Sequence, residues 1–138
     1  MADDITDRLR TIPLFAGLDY AALRHVTDIS TVLELPKGSV LIERGLAGSG
    51  MYVVLDGVAE VELRHRTVEL GPGEVVGELA LLTDHPNRTA RVRAGDELRC
   101  LAIGRTEFWE LLRLQPRIAV PMLSTLARRL QDVLENPA

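Results

Sequence analysis

The chain has 138 residues, 46% apolar and 26% charged, which suits one soluble globular domain with a real core and excludes a disordered polymer. Its formal net charge of −4 makes it a poor non-specific nucleic-acid binder, since such binding rests on neutralising phosphates. A single cysteine, Cys100, excludes an internal disulfide, and no stretch approaches the roughly 20 apolar residues that cross a membrane.

In chain order, three zones emerge. Residues 1–30 read as helices. Asp3 or Asp4 can cap a short helix running through Leu9, and Asp19 can cap a second that carries Ala22, Leu23, Val26 and Ile29 on one side. The acidic N-terminus lacks an apolar run, so no signal peptide is expected and a cytoplasmic protein is the default.

From 31 to 104 the hydrophobic period falls to two. Thr31–Leu35, Val40–Ile42, Met51–Leu55, Val58–Leu63, Thr67–Leu70, Thr89–Ala94 and Leu98–Ile103 read as short strands. Turn residues separate them at Pro36-Lys37-Gly38, Gly45 to Gly50, Asp56-Gly57, Gly71-Pro72-Gly73 and Gly95-Asp96. Asp56-Gly57 between two apolar runs predicts a tight hairpin. Many short strands at this spacing predict a sandwich or roll. Glu78–Leu82 breaks the pattern and reads as one helical turn between strands, and Cys100 sits in an apolar alternation as a buried structural thiol.

From 105 to 138 the helical period returns. Thr106 can cap a helix containing Phe108, Trp109, Leu111 and Leu112, and Pro116 interrupts. In the final helix Pro121 is tolerable only in the first turn. There Val120, Leu123, Ala127, Leu130 and Leu134 form a heptad-like seam. That seam can cover the roll and close over a ligand, or pair with a second copy; a dimer contact is the favoured reading.

The chemistry concentrates in residues 76–90. Gly77 lets a ligand approach the backbone closely. A helical turn starting at Glu78 offers backbone amides to an anion. Arg88 supplies a planar cation suited to a phosphate, Thr89 a hydroxyl, and Ala90 an amide beside little bulk. Glu78 would repel a phosphate but can accept hydrogen bonds from a sugar hydroxyl. A ribose joined to a compact anion satisfies all of them.

The segment Val76-Gly77-Glu78-Leu79-Ala80-Leu81, followed by Arg88-Thr89-Ala90, resembles the phosphate-binding cassette of the cyclic nucleotide-binding domain family. That family includes the catabolite activator protein, kinase regulatory subunits and cyclic-nucleotide-gated channels. The resemblance extends over nearly the whole chain. Ile12-Pro13-Leu14-Phe15-Ala16-Gly17-Leu18 matches the family's first helices. Tyr52-Val53-Val54-Leu55-Asp56-Gly57 and Gly71-Pro72-Gly73-Glu74 match its roll, and Ala127-Arg128-Arg129-Leu130 its last helix.

The resemblance implies a mainly β fold, a double-stranded β-helix or jelly-roll barrel with N-terminal helices, a short phosphate-binding helix and C-terminal helices, all in one domain. It implies that Glu78 holds the ribose 2′-hydroxyl, Arg88 the exocyclic phosphate oxygens, and the Gly77 and Ala90 amides the rest, with Leu79, Ala80 and Thr89 in the same cassette. It also implies a base lid from the last helix, here Leu130, Val133 and Leu134, where the catabolite activator protein has hydroxyl residues. Val76 departs from the usual aromatic, and the hairpin Val61–Leu70, tipped by His65-Arg66, is shorter than usual.

The expected ligand is a cyclic nucleotide, cAMP rather than cGMP, although Thr89 permits guanine contact. The expected role is a non-catalytic sensor without metal or other cofactor, acting on an effector not named by the sequence. The chain is then either a stand-alone sensor or a regulatory piece of a larger enzyme or transcription regulator. A vestigial site in a dimerisation or docking module is the alternative. A cupin-like metal enzyme is a third reading, but His25, His65 and His85 show no ligand spacing.

Overall fold

A computed structural model of the chain describes residues 2–43, 50–77 and 90–135. Helices α1 (Ala2–Leu9) and α2 (Tyr20–Ile29) come first. Asp19 caps α2 by accepting from the Ala22 amide at 2.9 Å. α1 already begins at Ala2, so Asp3 and Asp4 fall within its first turn and neither is its N-cap.

Eight strands follow: β1 (Ser30–Leu35), β2 (Val40–Ile42), β3 (Gly50–Asp56), β4 (Ala59–Glu62), β5 (Thr67–Leu70), β6 (Val75–Val76), β7 (Arg91–Ala94) and β8 (Leu98–Gly104). They form two antiparallel four-stranded sheets, ordered β1-β8-β3-β6 and β2-β7-β4-β5, rather than one closed barrel. The pairing is nested: β1 with β8, β2 with β7, β3 with β6, β4 with β5. This is a jelly roll.

Every connection but one carries the chain from one sheet to the other. The exception is the β4–β5 hairpin, whose tip closes with the Leu63 amide on the Arg66 carbonyl at 2.8 Å. Asp56-Gly57 is therefore not a hairpin turn, because β3 and β4 belong to different sheets. Gly57 has φ of 86°, and a Cβ there would run into the Glu97 carbonyl. The glycine serves a corner where another backbone passes close, not a two-residue loop.

Strand alternation divides the core in two. Met51, Val53 and Leu55 on β3, Leu101 and Ile103 on β8, and Val75 on β6 face the helices. Val54, Leu98 and Val76 face the other sheet, where Ile42, Ala59, Val92 and Ala94 meet them. The helical side is the larger, with Phe15, Leu9, Leu23 and Phe108 fully buried. Thr6 and Thr27 join α1 to α2 through their hydroxyls at 2.8 Å, and Arg8 ties α1 to the Leu55 carbonyl.

Helix α3 (Arg105–Leu114) follows β8 directly, with extended Gly104 as its N-cap and no side-chain cap. Thr106 is thus the second helical residue and not the cap. A 3-10 turn (Pro116–Ile118) leads into α4 (Ala119–Glu135), and Pro121 falls in the first turn of α4, where its missing N–H costs nothing.

Cys100 is fully buried on β8, opposite Leu33 and Val54. Burial pushes its thiol up to about 11 from an ordinary 9.0. Cys100 should resist a thiol reagent at pH 8 in the folded protein and react at once in denaturant. An unfolded thiol ionises before the folded one does, so its share of stability is intact below about pH 9 and falls as pH rises towards 11. Rapid labelling without denaturant would contradict this placement.

Candidate functional site

Two short strands bracket the candidate site. β6 is the edge strand of its sheet, paired to β3 through Tyr52–Val76 and Val53–Val75. Val76 turns its side chain into the roll, where it is nearly buried among Val54, Val92 and Leu98. Gly77 follows at φ of 91°, a left-handed conformation that penalises any Cβ. Ala90 is half-buried immediately before β7, the strand between β2 and β4 in the opposite sheet. Gly77 therefore leaves one sheet and Ala90 enters the other, which makes the segment between them a crossing.

Of the cassette residues read from the sequence, the structure places Gly77 and Ala90 at the two ends of this crossing. Glu78, Leu79, Ala80, Arg88 and Thr89 lie outside the described residues, as do the helical turn Glu78–Leu82 and His85. Within the roll the lining is apolar: Ile42, Val54, Ala59, Val76, Val92, Ala94 and Leu98 are buried, with Leu41, Tyr52, Val61 and Leu70 packed around them. Ala59 and Ala94 are cross-strand partners, so two small side chains stand together on the inner face. Among the described residues this cluster contains no charged side chain. It can pack against a flat apolar ring but supplies nothing for an anion.

Two arginines near the crossing face the other way. On β7, Val92 and Ala94 point inward, so Arg91 and Arg93 point outward. Arg91 Nε donates to Glu43 Oε1 at 2.8 Å, and its Nη1 lies 3.8 Å from Glu62; Arg93 Nε lies 3.3 Å from the same Glu62. The hydrogen bond and charge of Glu43, with the charge of Glu62, raise the Arg91 pKa further. These cations are matched by carboxylates on the outer surface and are poorly placed to take a ligand inside.

The last helix presents two faces. Met122, Thr125, Leu126 and Arg129 turn toward the roll, where Met122 and Leu126 join the apolar cluster of Val75 and Leu14 and, with Thr125, line a small cavity beside them. The seam of Val120, Leu123, Ala127, Leu130 and Leu134 turns away, and Val120, Leu123, Leu130 and Leu134 are 67%, 64%, 60% and 73% exposed. The seam therefore does not cover the roll. Leu130 and Leu134, the expected base lid, stand in solvent; the Val133 side chain lies outside the described residues.

Sequence reasoning missed β6, which is only two residues long, and missed the contact of Arg129 with it. The signal for Arg129 was present, since it keeps helical phase with Met122 and Leu126. Among the described residues no group of three His, Cys, Asp or Glu side chains is placed to hold a metal, and no helix is long and apolar enough to cross a membrane.

Nested strands, an apolar interior and helices covering one sheet define a jelly roll with flanking helices. The chain belongs to the cyclic nucleotide-binding domain family, whose profile matches residues 32–115. It is 32% identical over 118 residues to a cyclic nucleotide-gated potassium channel of Rhizobium etli, covering 86% of this chain and 33% of the channel. It is 30% identical over 135 residues to a cAMP-dependent protein kinase regulatory subunit of Blastocladiella emersonii, covering 94% and 32%. Among solved structures, the catabolite activator protein of Thermus thermophilus superposes with a TM-score of 0.76 at 30% identity, covering 88% of this chain and 59% of that one. The chain spans about one third of the length of these two curated relatives.

Proposed function

We propose that this chain binds a cyclic nucleotide, cAMP in preference to cGMP, and works as a non-catalytic sensor in the cytoplasm. The observation that carries this reading is the crossing itself. Left-handed Gly77 at the end of β6 and Ala90 at the start of β7 flank the cassette in sequence, and the strands they join line an apolar roll. A purine fits the apolar lining, and the ribose and cyclic phosphate fall to the crossing. In this reading Glu78 accepts from the ribose 2′-hydroxyl and Arg88 holds the exocyclic phosphate oxygens. Thr89 and the Gly77 and Ala90 amides complete the anion site, while Leu79 and Ala80 shape the turn. No other cofactor is required.

The exposed seam of α4 supports a homodimer through that helix, and Leu130, Val133 and Leu134 would cap a bound base only if α4 moved. The relatives differ in what they regulate, a potassium channel in one and a protein kinase in another.

Calorimetry with both nucleotides tests the proposal. Saturable heat at micromolar ligand is expected, tighter for cAMP; no heat from either at millimolar concentration would sink it. The ribose role has its own check. Glu78→Gln keeps a neutral hydrogen-bond acceptor and should lose less affinity than Glu78→Ala, by up to roughly tenfold, the worth of one neutral hydrogen bond. Equal losses would count against that role.

A further inference from the structure

We propose that the corner between α3 and α4 docks on an anionic lipid surface, with Trp109, Leu114 and Val120 entering the headgroup layer and Arg113 and Arg117 held by the lipid phosphates. This does not rest on the nucleotide reading, and docking at a surface needs no membrane-spanning helix.

The charge pattern comes first. From Leu111 to Gln131 the charged residues are Arg113, Arg117, Arg128 and Arg129, and no acidic residue falls between Glu110 and Asp132. The whole chain carries −4, so positive charge gathers here against the overall balance. Arginines interspersed with exposed apolar residues on helices are the composition of a membrane-surface element.

The fold turns this stretch into a corner. α3 ends at Leu114, the turn Pro116–Ile118 follows, and α4 starts at Ala119. Ile118 is fully buried and pins the turn to the core. Around it Leu114 is 55% exposed and Val120 67%, and Arg113 and Arg117 are exposed too. Trp109 lies one turn behind Arg113 on the same side of α3, with buried Phe108 edge-on to its ring. At the rise of an α-helix Trp109 sits about 7 Å behind Leu114, within the depth of roughly 5–10 Å that interfacial elements reach.

Pairing sets these arginines apart. Arg8, Arg91, Arg93 and Arg99 each meet a carboxylate. Among the described residues Arg113 and Arg117 have neither an ion pair nor a hydrogen-bond partner. The α4 seam does not account for them, because Trp109, Leu114 and both arginines lie outside it. A helix pair formed from Leu123 onward leaves the corner uncovered. Its apolar side chains project from a corner and do not line a groove, so a protein partner would need a matching hollow, whereas a fluid layer fits any projection. Arginine stems can follow the apolar groups inward while the guanidinium stays with the phosphates.

Trp109 is the chain's one tryptophan, so its fluorescence reports the corner directly. The full chain is titrated with vesicles of equal parts phosphatidylglycerol and phosphatidylcholine, with phosphatidylcholine vesicles, and with soluble polyglutamate. The anionic vesicles should shift the emission to the blue, and brominated acyl chains should quench it; the other two should leave it unchanged. Arg113→Gln combined with Arg117→Gln should weaken vesicle binding by roughly twentyfold, at about fivefold for each arginine near an anionic surface. Leu114→Ser combined with Val120→Ser should also weaken it, at exposed positions where the fold is at little risk. Arg64→Gln combined with Arg66→Gln is the control. It removes the same charge from the exposed β4–β5 tip and should bind as wild type does.

Unshifted emission with the anionic vesicles would overturn the proposal. An equal shift with polyglutamate would overturn the choice of a lipid in favour of an acidic protein. Equal losses in the two double-arginine variants would mean adsorption by net charge and no docked corner.

Discussion

Arg88→Ala should weaken cyclic nucleotide binding at least tenfold. A cyclic phosphate carries one negative charge into the mouth of the roll, and the buried cluster there is apolar among the described residues. On β7, Arg91 and Arg93 face outward against Glu43 and Glu62. A charge-assisted bidentate contact contributes roughly 1.5–3 kcal/mol, which is about one to two powers of ten in affinity. Arg88→Lys should fall between, because an ammonium keeps the charge and loses the fork. Calorimetry on the three proteins is the measurement. Full affinity in Arg88→Ala together with a collapse in Arg91→Ala would move the anion site to Arg91.

Phe108→Ala should cost the fold about 3–5 kcal/mol. Phe108 is fully buried in the first turns of α3, within the same cluster as Phe15, Leu101 and Ile103. It also meets Trp109 edge-on, with ring centroids 6.3 Å apart. Domains of this kind have total stabilities of about 5–15 kcal/mol, so the loss is a large fraction of the whole. In urea the midpoint should drop sharply with little change in slope, the sign of a cavity and not of a changed unfolded state. Trp109→Ala is the control, since Trp109 is 41% exposed and should cost much less. A loss below about 1 kcal/mol for Phe108→Ala would mean that α3 is not seated on the sheet as described.

The strands were legible because one face of each is buried and period-two alternation records that face. Val40–Ile42 and Thr67–Leu70 were read at their observed bounds. β6 was not legible, since Val75-Val76 is too short to alternate and follows a glycine-rich turn. Asp56-Gly57 misled for a different reason: a local turn signal reports that the chain bends, not which sheet it joins next. Thr106 misled because a strand that runs straight into a helix can leave the cap to the backbone of Gly104. The clamp of Arg91 on Glu43 joins residues far apart in sequence and leaves no local trace. The cassette was legible as a pattern of residue types. Of its members, the structure positions Gly77 and Ala90, and the left-handed φ of Gly77 explains why glycine stands there.

The nested strand order also dictates how the chain can assemble. β4 and β5 meet across a tight tip, whereas Ser30 of β1 must find Ile103 of β8 near the other end of the roll. Closing a short loop costs less entropy than closing a long one, so the innermost pair has the lowest barrier and each later pair inherits a loop already shortened by the one before. The roll is expected to close from the hairpin outward, with β1–β8 last. Contacts this distant in sequence make for slow folding compared with helical domains of the same size. The helices on the outer face of β3 and β8 complete their platform only when that last pair forms, so their packing should report the end of folding and not its beginning.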